Sequence, residues 1–99
     1  MFKIEYAEDV VDDLASLRAH MRTRILDQIE AQLLHQPTHQ TRNRKLLPGL
    51  KPPWEHIEPV WELRFGEFRV FYDVDETTRL VKIRAVRHKP PHKTTKEIL

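Results

Sequence analysis

Apolar and polar positions follow two different spacings in the first third of the chain. Residues 2–6 alternate between apolar and polar side chains, which predicts a short strand. From Glu8 to His35, apolar residues recur every three or four positions, which predicts an amphipathic helical region. This pattern fits one long helix and equally a helical hairpin broken near Arg18–His20. Gln36-Pro37 ends the region, because proline disfavours helix in the residue before it.

The segment after the helical region has no clear hydrophobic period. It runs from Pro37 to Pro59 and contains five of the seven prolines, which predicts a long connecting loop. Three strands follow: Val60–Phe65, Phe68–Val74, and a last strand that begins at Arg79 or Leu80 and ends at Arg87. We therefore expect a single α+β domain over residues 1–99. Its helices pack on one face of a small antiparallel sheet that ends in a three-strand meander.

The tight turn at Gly66-Glu67 fixes which side chains share a face of the first hairpin. In a two-residue turn, Phe65 lies opposite Phe68 and Arg64 lies opposite Arg69. One face is then apolar and must be the core face; it carries Trp61, Leu63, Phe65, Phe68, Val70 and Tyr72. The other face carries Glu62, Arg64, Arg69 and Phe71.

A second turn at Asp75–Thr78 extends this argument to the last strand. A four-residue loop there places Val74 opposite Arg79, and counting along the strands places Arg69 opposite Arg84. The residues expected on the core face are Val81, Ile83 and Ala85. Those expected on the polar face are Lys82, Arg84, Val86 and His88.

This register predicts a row of three arginines, Arg64, Arg69 and Arg84, on neighbouring strands. Like charges directly opposite each other in a sheet are destabilising by a few tenths to ~1 kcal/mol. An anion bound over the row, such as a phosphodiester backbone, explains why such an arrangement is kept. The alternative is that Glu62, Glu67 and Asp73 lie among these arginines and neutralise the row.

Basic residues are concentrated in the second half of the chain. Five acidic and no basic residues occur from Glu5 to Asp13, whereas seven basic residues and two histidines occur without an acid from Arg79 to Lys96. This uneven distribution suggests a polyanionic partner.

The absence of cysteine excludes thiolate chemistry and is typical of a reducing compartment, so we expect a cytoplasmic protein. No apolar run is long enough for a membrane span, and no leader segment is expected.

The hairpin sequence resembles that of a known family. The segment Trp61–Val74 (WELRFGEFRVFYDV), together with Val86-Arg87-His88-Lys89, resembles the RelE/ParE superfamily of type II toxins, and the resemblance covers the whole chain. It implies a β-α-α-β-β-β fold with a C-terminal segment. RelE-like members cleave mRNA in the ribosomal A site without a metal, and ParE-like members inhibit DNA gyrase. The RelE-like branch is favoured here; the alternatives are a ParE-like gyrase inhibitor and a decayed toxin that only binds its antitoxin.

The resemblance assigns roles to individual residues. Arg69 matches the arginine that many RelE-like nucleases place on the scissile phosphate, and Arg64 matches a basic residue of the preceding strand. His88-Lys89 matches a basic pair at the end of the last strand. His88 is a candidate acid or base because histidine titrates near neutral pH, and Glu62 is a second candidate base. Further residues are expected to contact RNA: Arg84, Lys82, Arg87, Lys93, Arg42, Arg44 and Lys45.

Partners follow from the same resemblance. They are a cognate antitoxin, the ribosome with its mRNA, and operator DNA bound through the antitoxin complex; no cofactor and no metal are expected.

Two features depart from the RelE pattern: Val60 and Glu62 stand where RelE has lysines, and His92–Leu99 contains no tyrosine. These departures favour the gyrase-inhibitor alternative, whereas the retained arginines and histidine favour the nuclease. The antitoxin is expected to cover apolar helix residues beside the main stripe: Val11, Leu26 and Leu34.

Overall fold

The computed structural model of the protein describes residues 1–99 and has an α+β architecture. In chain order the elements are β1 (Lys3–Tyr6), α1 (Glu8–Ala15), α2 (Ala19–Leu33), β2 (Arg44–Leu47), β3 (Val60–Phe65), β4 (Phe68–Asp75), β5 (Leu80–His88) and α3 (Thr95–Ile98). The strands form one sheet in the order β1-β5-β4-β3-β2. None of the helices combines the length and the apolarity needed to cross a membrane. The predicted fold class and the three-strand meander are confirmed.

The first strand joins the far edge of the meander. β1 pairs in parallel with β5, with Ile4 opposite Val81 and Tyr6 opposite Ile83. The other neighbouring strands pair antiparallel. Parallel neighbours need a crossover connection, and the chain between β1 and β5 supplies it. The sheet is therefore mixed, which differs from the wholly antiparallel sheet that the sequence predicts.

The helical region forms two helices, α1 and α2, rather than one long helix. The sequence periodicity fits both arrangements. Arg18, just before α2, has an extended backbone with φ −62° and ψ 146°, and this separates α2 from α1. The guanidinium of Arg22 donates hydrogen bonds to the carbonyls of Leu14 and Leu17, at 3.0 and 2.9 Å. Carbonyls at a helix end lack intrahelical partners, so Arg22 stabilises the break between the helices.

The long loop contains a strand that the sequence pattern does not predict. β2 pairs antiparallel with β3, with Arg44 opposite Leu63 and Leu47 opposite Val60. Its four residues, two basic followed by two apolar, do not alternate, so they show no strand period. The prolines before and after it also favour assignment as a loop.

The helices pack on one face of the sheet, which we call the helix face. The core on this face includes Val10, Leu14, Ile25, Ile29, Leu33, Trp61, Leu63, Val70, Tyr72, Val81 and Ile83. The opposite face, here the back face, carries a smaller cluster of Val60, Phe71, Ala85 and Ile98. The predicted division of the first hairpin into an apolar and a polar face is confirmed. The short helix α3 lies against the back face through Ile98.

Candidate anion-binding site at the end of the meander

A β-bulge in β5 changes the expected arrangement of the basic residues. The expected register of β4 and β5 is wrong, since Val74 lies opposite Val81 rather than Arg79. This difference is an even number of residues, so the side chains near the turn keep their expected faces. A bulge at Arg84 then adds one residue to β5 and reverses the faces beyond it. Val86, expected on the polar face, is accordingly buried in the core of the helix face.

The bulge brings the end of β5 to Arg69. Arg69 lies opposite Arg64 on β3 and opposite Arg87 on β5, so the expected pairing with Arg84 is wrong. The backbone N–H of Lys89 donates to the carbonyl of Glu67 in the β3–β4 turn at 2.6 Å. Basic residues from three strands therefore meet at this end of the meander. We call this group the basic end, and it comprises Arg64, Arg69, Arg87, His88 and Lys89.

Glu62 links two of these arginines below the surface. Its side chain is fully buried. Oε1 accepts a hydrogen bond from Arg64 Nε at 2.9 Å and lies 3.8 Å from Arg69 Nε, and Oε2 accepts from the Thr95 hydroxyl at 3.1 Å. A carboxylate covered by α3 and held by two arginines is not accessible to a substrate hydroxyl. The position of Glu62 therefore contradicts its expected role as a base and indicates that it orients the two arginines.

The Arg69 side chain is turned toward the tip of the hairpin. Nη1 donates to the carbonyls of Gly66 and Phe68 at 2.9 and 2.8 Å, and 12% of the side chain is exposed. Nε is buried and has no hydrogen-bond partner. Burial lowers the pKa of Arg69, which Glu62 opposes and Arg64 reinforces. Arg64, whose side chain is 38% exposed, offers the more accessible guanidinium of the two.

Arg87 is held by residues from outside the meander. Nη1 donates to Asp13 Oδ2 at 2.7 Å, and the guanidinium lies 5.2 Å from the centre of the Trp54 ring. The same Asp13 oxygen accepts the N–H of Val86 at 3.0 Å. Asp13 thus satisfies the edge of β5 beyond the last residue of β1 and orients one arginine. The sequence does not predict this contact, because Asp13 and Arg87 are 74 residues apart.

His88 lies on the helix face, on the opposite side of the sheet from Arg69. Its Nε2 is 2.9 Å from Glu67 Oε1, and its ring packs against Phe68 with the ring centres 5.4 Å apart. The expected placement of His88 and Arg69 on one face is wrong, because the bulge reverses the face of His88. The two residues still come close in the ladder, since His88 directly follows the residue opposite Arg69.

The remaining candidate RNA contacts lie in different surroundings. Arg84 donates to both carboxylate oxygens of Asp73, at 2.9 and 3.2 Å, and Lys82 Nζ lies 3.6 Å from Glu5 Oε2. Arg44 is 7% exposed and donates to a carbonyl of α2, so its expected contact with RNA is contradicted by burial. The others are exposed or half-exposed: Arg42, Lys45 and Lys93.

The basic end offers positive charge and one histidine. Guanidinium groups bind phosphate oxygens in pairs, and a histidine can exchange protons near neutral pH. Carboxylates contact four of its five side chains: Glu62 contacts Arg64 and Arg69, Asp13 contacts Arg87, and Glu67 contacts His88. An incoming phosphate therefore competes with these carboxylates. No three His, Asp or Glu side chains are grouped so as to hold a metal ion.

Comparison with known proteins identifies the family. Residues 4–89 match the family model described as ParE toxin of type II toxin-antitoxin system, parDE. The chain belongs to this toxin family. Among curated proteins, none matches the sequence.

Solved structures of RelE toxins share the fold of this ParE-family chain. The isolated E. coli RelE toxin gives a TM-score of 0.71 at 14% identity, covering 98% of this chain and 94% of RelE. A chain of the RelBE2 toxin–antitoxin complex from Mycobacterium tuberculosis gives 0.69 at 19% identity, covering 89% and 98%. A chain of the RelE–RelB complex from Pyrococcus horikoshii gives 0.62 at 21% identity, covering 94% and 98%. Membership of the RelE/ParE superfamily is confirmed, and the structural likeness concerns the fold.

Proposed function

We propose that this chain is a toxin that cleaves mRNA on the ribosome and so inhibits translation. The basic end carries the proposal, because the bulge in β5 places Arg87 opposite Arg69, which itself lies opposite Arg64, and His88 and Lys89 follow next in the chain. A phosphodiester suits such a cluster, since guanidinium groups bind its oxygens with two hydrogen bonds at once. The toxin family and the RelE-like fold support the same conclusion.

The proposed chemistry uses no metal and no cofactor. Cleavage by the ribose 2′-hydroxyl needs a base for that hydroxyl, a cation for the phosphorane and an acid for the 5′-oxygen. In this proposal Arg64 and Arg69 stabilise the phosphorane from the back face and Lys89 adds positive charge. His88 lies on the helix face, so in this proposal the RNA passes around the end of the meander to exchange a proton with it. This set contains one residue able to act as acid or base near neutral pH, so we propose that the ribosome completes the site.

An antitoxin is the proposed protein partner. The solved neighbours include RelE toxins in complex with their antitoxins. On this chain Val11 of α1 is an exposed apolar residue, at 61% exposure. An amphipathic segment that folds as it binds would cover such a helix surface. We further propose that the toxin–antitoxin complex binds operator DNA and that the toxin acts in the cytoplasm.

Expression of the toxin without an antitoxin tests the nuclease proposal. Protein synthesis is followed by incorporation of a labelled amino acid, and mRNA 5′ ends are mapped before and after induction. We expect translation to stop as new mRNA ends appear within codons. Arg69→Ala is the control, because it removes a phosphate-binding group from the basic end. Arrested translation with intact mRNA would exclude the nuclease, and uninterrupted translation would exclude action on the ribosome.

Inhibition of DNA gyrase is the second candidate function. Three observations favour it. The first two are that the sequence after Lys89 contains no tyrosine and that Glu62 is buried where RelE has a lysine. The matching family model is also that of ParE toxins. A supercoiling assay with purified gyrase and a stoichiometric amount of toxin distinguishes the two functions. Unchanged supercoiling removes this alternative. If both assays are negative, the remaining alternative is a decayed toxin that only binds its antitoxin, which a binding measurement then tests.

A further inference from the structure

A cleft separates the start of α2 from the tip of the first hairpin. Its volume is about 510 Å³, and its lining includes Met21, Arg24, Phe65, Glu67, Phe68 and His88. The apolar part of the lining comes from the methionine and the two phenylalanines, which are each half-buried. The cleft lies on the helix face, whereas Arg64 and Arg69 lie on the back face.

Arg24 is the cation of this cleft that has no carboxylate partner. It is exposed, and its guanidinium lies 5.3 Å from the centre of the Phe65 ring. In contrast, His88 is already paired with Glu67 at 2.9 Å. A guanidinium held against an aromatic ring keeps its outward N–H groups free for an acceptor.

The start of α2 carries more positive charge than a helix favours. Arg18 precedes α2 and Arg22 lies in its first turn, which contains no acid, and Arg24 follows in the second turn. Positive charge at a helix N-terminus is opposed by the helix dipole, which favours anions at that end. Arg22 is used to hold the end of α1. The structure gives Arg24 no such internal partner.

We propose that this cleft binds a segment of a partner protein in which an acidic side chain neighbours a large apolar one. The carboxylate pairs with Arg24, and the apolar side chain fills the space lined by Met21, Phe65 and Phe68. The inference rests on the proposed toxin function, in which the antitoxin supplies the segment. Occupation of the cleft would also place the antitoxin against His88, within the basic end.

The lining favours an acidic peptide over RNA. An RNA backbone needs several unpaired cations, and the cleft supplies one. A single carboxylate next to an apolar side chain matches one free guanidinium beside three apolar residues.

The cleft is tested with 2-naphthoate, a probe that combines a carboxylate with an apolar ring. The ¹⁵N-labelled full chain is titrated, and amide shifts are followed by NMR. We expect saturable shifts at Met21, Arg24 and Gly66–Phe68. The uncharged analogue 2-naphthamide should bind about tenfold more weakly, because a hydrogen bond to a charged group is lost.

Matched variants assign the effect to Arg24. Arg24→Gln should weaken naphthoate binding about tenfold and leave naphthamide binding unchanged. Arg18→Gln removes an exposed arginine from the same helix end, outside the cleft, and should change neither affinity. Equal binding of the two probes to the unmodified chain, or equal effects of the two variants, would overturn the proposal. Displacement of naphthoate by a uridine hexanucleotide would assign the cleft to RNA and would also overturn it.

The proposed cognate antitoxin provides the second arm. Arg24→Gln should raise the Kd of the complex about tenfold, and Arg18→Gln should leave it unchanged. An unchanged Kd for Arg24→Gln would reject the antitoxin as the occupant. Neither arm depends on RNA cleavage, so a failure here is distinguishable from a failure of the proposed nuclease activity.

Discussion

Replacing Arg69 by alanine separates the contribution of this side chain to stability from its contribution to activity. Arg69 donates two hydrogen bonds to backbone carbonyls, at 2.9 and 2.8 Å, from a side chain that is 12% exposed. At about 1 kcal/mol net for each bond, Arg69→Ala should lower the free energy of unfolding by about 2 kcal/mol. For a domain of this size, that corresponds to a fall in Tm of roughly 8–16 °C.

The expected effect of Arg69→Ala on cleavage is larger than its effect on folding. Removing one contact to the charge of a transition state lowers the rate by about 10²–10³-fold. A domain that starts with at least about 5 kcal/mol of stability keeps roughly 99% of its molecules folded after this loss. Unfolding therefore cannot explain the loss of cleavage. Arg69→Lys keeps the charge without the planar fork and should recover part of the rate.

Two measurements check this prediction on the same samples. Urea denaturation gives the free energy of unfolding, and mapping of mRNA 5′ ends in a translating extract gives the cleavage rate. Arg18→Ala serves as the control, because Arg18 is exposed between α1 and α2 and belongs to no candidate site, and it should change neither quantity. Full cleavage by folded Arg69→Ala would refute phosphate binding at the basic end. Unchanged stability would refute the contribution of the two carbonyl contacts.

Three further changes test other parts of the structure. Arg84→Ala leaves the carboxylate of Asp73, which is 2% exposed, without its cation. Urea denaturation should show a free energy of unfolding lower by about 3 kcal/mol, and cleavage per folded molecule should be unchanged. Burial raises the pKa of Tyr72, so the unfolded state loses its phenolic proton first and the free energy of unfolding should fall as pH rises above about 10. Tyr72→Phe should reduce this fall in denaturation curves measured across that range. His88→Ala should lower cleavage about 10²-fold or more and flatten its pH dependence; an unchanged pH–rate profile would exclude His88 as the acid or base.

The first hairpin is the part of the site that local sequence determines. Gly66-Glu67 allows a two-residue turn, and the alternation on either side of it has one consistent solution. The predicted pairs Phe65 with Phe68 and Arg64 with Arg69 are both present. Side chains on one hairpin are placed by the turn and by the strand period, and both can be recognised over a few residues.

The last strand shows why the rest of the site could not be predicted. The segment Arg84-Ala85-Val86 contains small and apolar residues that fit either face, so no local pattern indicates the bulge. Arg84 is instead held by a side-chain hydrogen bond to Asp73 on the neighbouring strand. Val86 is held by a hydrogen bond from its backbone N–H to Asp13 of α1. These contacts join residues that are 11 and 73 positions apart. The face of His88 depends on them, and the sequence predicts the opposite face.

The parallel pairing of β1 with β5 has a consequence for how the toxin is made. β1 is synthesised first, but Ile4 pairs with Val81, 77 residues later (81 − 4). Contacts of such long sequence separation form late in folding, because a large loop must close first. The sheet is therefore completed only after β5 has emerged from the ribosome, and β5 also carries Arg87 and His88 of the basic end. The basic end is the surface proposed to bind mRNA. It therefore forms only after most of the chain has left the ribosome that synthesises it.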